Sequence, residues 1–181
     1  KVENVHADSM QGDMKFLDLL VQMGCIKTEE TDGICIQGPG KGELKGIDID
    51  MNDFSDQALT LAALAPFANS PTIIRNVGHI RGQECDRLKA MANELTRMGI
   101  KCEEYEDSIT IYQGEVKPAN IETYEDHRVA MAFSLLGLRA DGIEILDPLC
   151  CRKTFENYFS VLDEFVYDSG NSSGRSAHLL R

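Results

Sequence analysis

Five cations stand on short loops of an otherwise acidic chain: Arg81, Arg87, Arg128, Arg152 and Lys153. Arg87 closes the run Glu84-Cys85-Asp86-Arg87, and Arg128 closes Asp126-His127-Arg128. A guanidinium grips a carboxylate or phosphate with two parallel hydrogen bonds, so these residues suit an anion. Asp56 and Glu84 are the carboxylates able to move a proton beside it. Arg128 falls in the first turn of a helix, where the dipole disfavours a cation but free backbone N–H groups welcome an anion. These types together describe an anion-binding face with acid/base groups at its rim.

The elements that must hold these residues follow from pattern. Asp126 is suited to cap a helix, and the residues after Arg128 are almost wholly apolar through Leu136, so that helix is buried on most sides. Asp56 heads a second run of this kind, Ala58 to Ala65, which Pro66 must end. Helical spacing predicts helices over 14–23, capped by Asp13, over 84–98, and over 155–165. Gly24 and Gly99 are natural residues to follow the first two. Strands are expected at 2–6, 25–29, 33–37, 45–51, 72–76, 100–104, 108–112 and 143–147. Gly38-Pro39-Gly40-Lys41-Gly42 lacks the spacing of a phosphate loop and reads as a surface turn.

The pattern repeats. Met23-Gly24 and Met98-Gly99 lie 75 positions apart (98 − 23), and the register runs without a gap through Glu29 and Glu104 to Ile36 and Ile111. Asp56 and Asp126 lie 70 apart (126 − 56), each heading an apolar helix. Repeats of this length imply supersecondary units around a shared core. They also bring the helix starts that carry the cations to equivalent places.

Composition narrows the class. The 181 residues are 43% hydrophobic, with a formal net charge of -12. That argues for a folded core and against general nucleic-acid binding, which needs a basic face. No apolar run is long enough for a membrane span, and no signal-peptide pattern opens the chain. The six cysteines form no C-x-x-C pair, so neither zinc nor a disulfide framework is indicated. Reduced thiols in the cytoplasm are the expectation. Residues 168–181 are small and polar and read as a flexible tail, with 1–167 as the folded domain.

Five motifs in order carry a resemblance. They are Ser9-Met10-Gln11-Gly12-Asp13, Asp50-Met51-Asn52, Arg81 with Glu84 and Arg87, Asp126-His127-Arg128 with the apolar run behind it, and Lys153-Thr154-Phe155 with Tyr158-Phe159. Together they resemble the 5-enolpyruvylshikimate-3-phosphate synthase family over about residues 1–165. The resemblance implies an α/β fold of repeated βαβαββ units with pseudo-threefold symmetry, one domain of a two-domain enolpyruvyl transferase. The chain then corresponds to the C-terminal part, and the N-terminal domain is its absent partner. The family moves the enolpyruvyl group of phosphoenolpyruvate to the 5-hydroxyl of shikimate 3-phosphate and releases phosphate, with no metal or organic cofactor. By position, Asp56 resembles the residue that handles the 5-hydroxyl. Glu84 resembles the one that protonates and deprotonates the methylene carbon. Arg87, Arg128 and Lys153 resemble the phosphoenolpyruvate clamp, with His127 beside them. His79 and Gln83 stand at substrate-contacting positions but depart from pattern, since Asn is common at the first and Lys at the second. The uncharged Gln83 bears on the shikimate 3-phosphate contact and on phosphonate inhibitors. Glu156 stands where Pro is usual. The sister family, acting on UDP-N-acetylglucosamine, shares the fold, but Asp126-His127-Arg128 and Lys153-Thr154-Phe155 favour the shikimate branch. The alternative of another class is a folded, non-catalytic half.

Overall fold

The computed structural model describes residues 1–6, 9 and 12–168, the last two by backbone alone. Met10 and Gln11 of the first motif, and residues 169–181 of the expected tail, lie outside the described residues. Three small sheets are framed by five α-helices among the described residues.

The first sheet holds β1 (Val2–Glu3), β2 (Ile26–Glu30) and β3 (Gly33–Gln37), in the order β1-β3-β2, with α1 (Met14–Gln22) ahead of the hairpin. The strand expected over 2–6 is shorter because Asn4 turns to a φ of 59°. Asp13 does not cap α1. Its own backbone is helical and its side chain makes no capping bond.

The middle unit is complete. It comprises β4 (Asp48–Asp50), α2 (Ala58–Leu64), β5 (Thr72–Arg75), α3 (Arg87–Arg97), β6 (Cys102–Glu104) and β7 (Ile109–Ile111). This is a βαβαββ unit, with strand order β4-β5-β7-β6 and only β4 and β5 parallel. The 75-residue repeat is visible in the pairing: Glu29 faces Ile34, and Glu104 faces Ile109. The third unit holds β8 (Ala119–Ile121), α4 (His127–Ser134), β9 (Ile143–Ile145) and α5 (Tyr158–Asp168), with β8 and β9 parallel. No strand was expected at 119–121, so β8 is an addition. Asp168, expected in the tail, ends α5.

The two apolar helices form the centre. α2 buries Leu59, Leu61 and Ala62, and α4 buries Val129, Ala130 and Phe133. Alanines on both let the two helices pack closely. Phe133 is fully buried, so truncating it to Ala would cost about 3–5 kcal/mol. This packing brings the starts of α2 and α4, and the loops beside them, to one end of the core.

Candidate functional site

At that end, contacts through Asp126 join Asp56, Gln83, Arg87 and Arg128 to Glu84, His127 and Lys153. Asp56 lies just before α2, at the end of a 3₁₀ turn that follows β4. The ends of β4 and β5 fix this turn: Asp50 accepts from the Asn52 backbone N–H and from Asn76, whose φ of 59° ends β5. Asp56 then bridges two guanidiniums. Arg87 Nη1 donates to its Oδ1 at 3.1 Å, and Arg128 Nη2 lies 2.8 Å from its Oδ2.

Glu84 and Gln83 are not helical. The helix expected over 84–98 begins at Arg87, because Asp86 caps it by accepting from Lys89 N–H. Glu84 therefore stands on a loop, free to reach α4. It is hydrogen-bonded to His127 Nδ1 at 3.1 Å and ion-paired with Lys153 Nζ at 3.1 Å. Gln83 accepts from Arg87 Nη1. His79 Nε2 lies 2.8 Å from Ser55 Oγ, one residue from Asp56.

Arg87 is the hub. It is only 4% exposed, and Asp126, which is fully buried, receives its Nε at 2.7 Å and its Nη2 at 3.3 Å. Asp126 also caps α4 by accepting from Arg128 N–H at 2.8 Å. Burial alone would push the Asp126 carboxyl up; the Arg87 and backbone hydrogen bonds outweigh it and hold the group below the ordinary range. Cys85 donates weakly to the same carboxylate, and burial with that negative neighbour pushes its thiol up to about 12.

Asp126 is thus more than the helix cap its sequence position suggests. Its role as counter-ion to Arg87 carried no local signal, since the two are 39 residues apart. Arg81 leaves the cationic cluster altogether: it pairs with Asp86 and Glu104 and donates to the carbonyls of Tyr105 and Glu106. Arg152 is exposed. Glu84, Asp126 and His127 bring ligand atoms within 4.8 Å of one another. Guanidinium and ammonium partners already occupy both carboxylates, so a metal ion would meet cations there.

Just ahead of Asp126 the backbone takes a costly path. Tyr124 and Glu125 both have positive φ, 55° and 57°, and neither is Gly or Asn. Such conformations cost on the order of 1–3 kcal/mol each and persist only where their surroundings fix them. An open cleft of about 550 Å³ lies beside Asp56, lined by Gly12, Asp13, Asp53, Phe54, Ser55 and Gln83. A smaller pocket of about 170 Å³ lies along α2, α4 and Tyr158, with Asp56 and Arg128 in its wall.

Comparison with known proteins bears on this site. The sequence profile of EPSP synthase (3-phosphoshikimate 1-carboxyvinyltransferase) matches residues 1–162. The 3-phosphoshikimate 1-carboxyvinyltransferase of Nostoc punctiforme is 51% identical over 160 residues, which are 88% of this chain and 37% of that protein. The one from Histophilus somni is 46% identical over 167 residues, 91% of this chain and 38% of that protein. In structure, the chain is similar to EPSP synthase from Acinetobacter baumannii, with a TM-score of 0.76, 28% identity, and coverage of 92% of this chain and 40% of that one. The chain therefore spans well under half the length of these relatives.

Proposed function

Since the chain belongs to the EPSP synthase family, we propose that it supplies the phosphoenolpyruvate-binding half of a 3-phosphoshikimate 1-carboxyvinyltransferase. The reading rests on one observation: two carboxylates and four cationic or imidazole groups, at positions that resemble the family's, share a network linked through Asp126. Residues 1–167 form the C-terminal domain, and the N-terminal domain supplies most of the shikimate 3-phosphate contacts.

The chemistry follows from the groups present. Arg87, Arg128 and Lys153 neutralise the phosphate and carboxylate of phosphoenolpyruvate, with His127 beside them. Asp56 takes the proton of the 5-hydroxyl as that oxygen attacks C2. Glu84 gives a proton to C3, so that a tetrahedral intermediate forms. Glu84 then removes a proton from the same carbon as phosphate leaves, restoring the double bond. Proton transfer by each carboxylate contributes roughly 10²–10⁴-fold, and the fixed cations stabilise charge that grows on the departing phosphate. Gln83 borders the cleft where shikimate 3-phosphate would enter, and His79 meets it through Ser55. The chain alone turns over little or nothing. The compartment is cytoplasmic, in keeping with six cysteines that are free among the described residues. No helix among the described residues is long and apolar enough to cross a membrane.

The test is phosphate release from phosphoenolpyruvate and shikimate 3-phosphate. The chain is assayed alone, mixed with the N-terminal remainder of the Nostoc punctiforme relative, and fused to it in one polypeptide. Release by the mixture or fusion, and not by the chain alone, is expected. A folded fusion that releases no phosphate overturns the proposed reaction, and brisk release by the chain alone overturns the split site.

A further inference from the structure

α3 grips the segment before the clamp at two points. Arg87 and Glu94 are seven residues apart on this helix, two turns along one face, and both are buried. Arg87 holds Asp126, as described. Glu94 holds the other end: its carboxylate accepts from Tyr124 Oη at 2.7 Å and from Glu122 N–H at 3.2 Å. Between the two grips lie the left-handed residues Tyr124 and Glu125. After Asp126 come His127 and Arg128.

We propose that Glu94 is a positioning residue for the phosphoenolpyruvate clamp: through Tyr124 and Glu122 it holds the left-handed turn that aims His127 and Arg128. Two consecutive non-glycine residues with positive φ revert to ordinary conformations unless something holds them. Asp126 N–H closes the turn on the Thr123 carbonyl at 2.9 Å, and the Asp126 side chain secures the far side. The near side is secured by Glu94, together with Asn93, which donates to Tyr124 Oη at 3.2 Å. Glu94 also pairs with Arg97, three residues on, but Arg97 is 42% exposed. Arg97 gives one hydrogen bond to each Glu94 oxygen, at 3.0 and 3.3 Å. Each oxygen takes its second bond from the turn, Oε1 from Tyr124 and Oε2 from Glu122. Glu94 bonds to none of the clamp side chains, so its effect reaches them through the backbone.

The inference rests on the enolpyruvyl-transfer reading for its kinetic test alone, so a second readout is independent of that reaction. Tyr124→Phe removes one hydroxyl, Glu94→Gln weakens both bonds, and Lys89→Ala removes an exposed ion pair of the same helix, with Glu104, away from the turn. In the 181-residue chain, amide hydrogen exchange across 122–128 is expected to quicken by about tenfold in the first two variants, while the β4–β7 sheet keeps its protection. In the fusion with the Nostoc punctiforme remainder, the same two variants raise KM for phosphoenolpyruvate by about tenfold and leave KM for shikimate 3-phosphate unchanged. Lys89→Ala does neither. Exchange that rises evenly over the whole sheet, or stays unchanged at 122–128, overturns the proposal, as does an equal rise in both KM values. If Glu94→Gln fails to fold, Tyr124→Phe alone decides. If the wild-type fusion proves inactive, the proposed reaction fails and the exchange pattern still judges the turn.

Discussion

Arg87 and Asp126 form a buried ion pair that ties the second unit of the fold to the third, with Nε 2.7 Å from Oδ2. Removing one partner of such a pair strands the other charge in the core. Asp126→Asn is therefore expected to lower unfolding stability by about 3–5 kcal/mol, read from urea midpoints near neutral pH. A loss under 1 kcal/mol, within the range of exposed pairs, would show that Arg87 finds another partner.

The same carboxylate sets an acid limit. Its hydrogen bonds hold it below the usual aspartate value of about 3.9. A depressed carboxylate gives stability that is present above the unfolded value and lost as pH falls through the folded one. Stability of the chain should thus drop as pH falls below about 4, and the drop should be shallower in Asp126→Asn. Equal slopes in the two proteins would assign the acid limb to other groups.

Asp56 bridges Arg87 and Arg128, so an entering anion competes with it for both guanidiniums. Asp56→Asn should tighten inorganic phosphate binding by the chain about tenfold, the equivalent of 1.4 kcal/mol, in low-salt calorimetry. Asp53→Asn makes the same charge change at a residue paired with Lys15 instead, and should alter affinity little. Equal tightening in both would mean that only overall charge matters.

Glu84→Gln in the fusion with the Nostoc punctiforme remainder should lower kcat by at least about 10²-fold. An unchanged kcat would remove Glu84 from proton transfer and leave it as a partner of His127 and Lys153.

Cys85 and Cys151 should resist alkylation. Burial, reinforced by nearby negative groups, pushes both thiols up to about 12. The thiolate is the reactive form, and almost none exists at pH 8. Iodoacetamide at pH 8 should leave both unlabelled in the folded chain and modify them in urea, as followed by mass spectrometry. Rapid native labelling of Cys85 would show the Asp126 neighbourhood to be open. Raised thiols also mean that stability is retained below the unfolded value and lost as pH climbs toward about 12.

Much of this arrangement could be read from the residues. α4 was legible because Asp126 is a capping residue followed by an apolar run, and the hairpins because their registers repeat 75 positions apart. β8 was not, because Ala119-Asn120-Ile121 is short and follows Pro118 without alternation. The start of α3 was misjudged because Glu84 and Cys85 continue its pattern, while the cap at Asp86 is what ends the loop. The left-handed turn gave no sign, since Tyr124 and Glu125 are residues that seldom adopt it. The Arg87–Asp126 pair is a product of packing between distant segments, which local pattern does not encode.

The 39 residues between Arg87 and Asp126 also set an order in time. On the ribosome, Arg87 emerges ahead of its buried partner by roughly 2–8 s at ordinary elongation rates. Asp56 has already been made by then and lies within reach of the same guanidinium. The nascent middle unit can therefore close around Arg87 with a provisional counter-ion, which the arrival of Asp126 turns into a shared one.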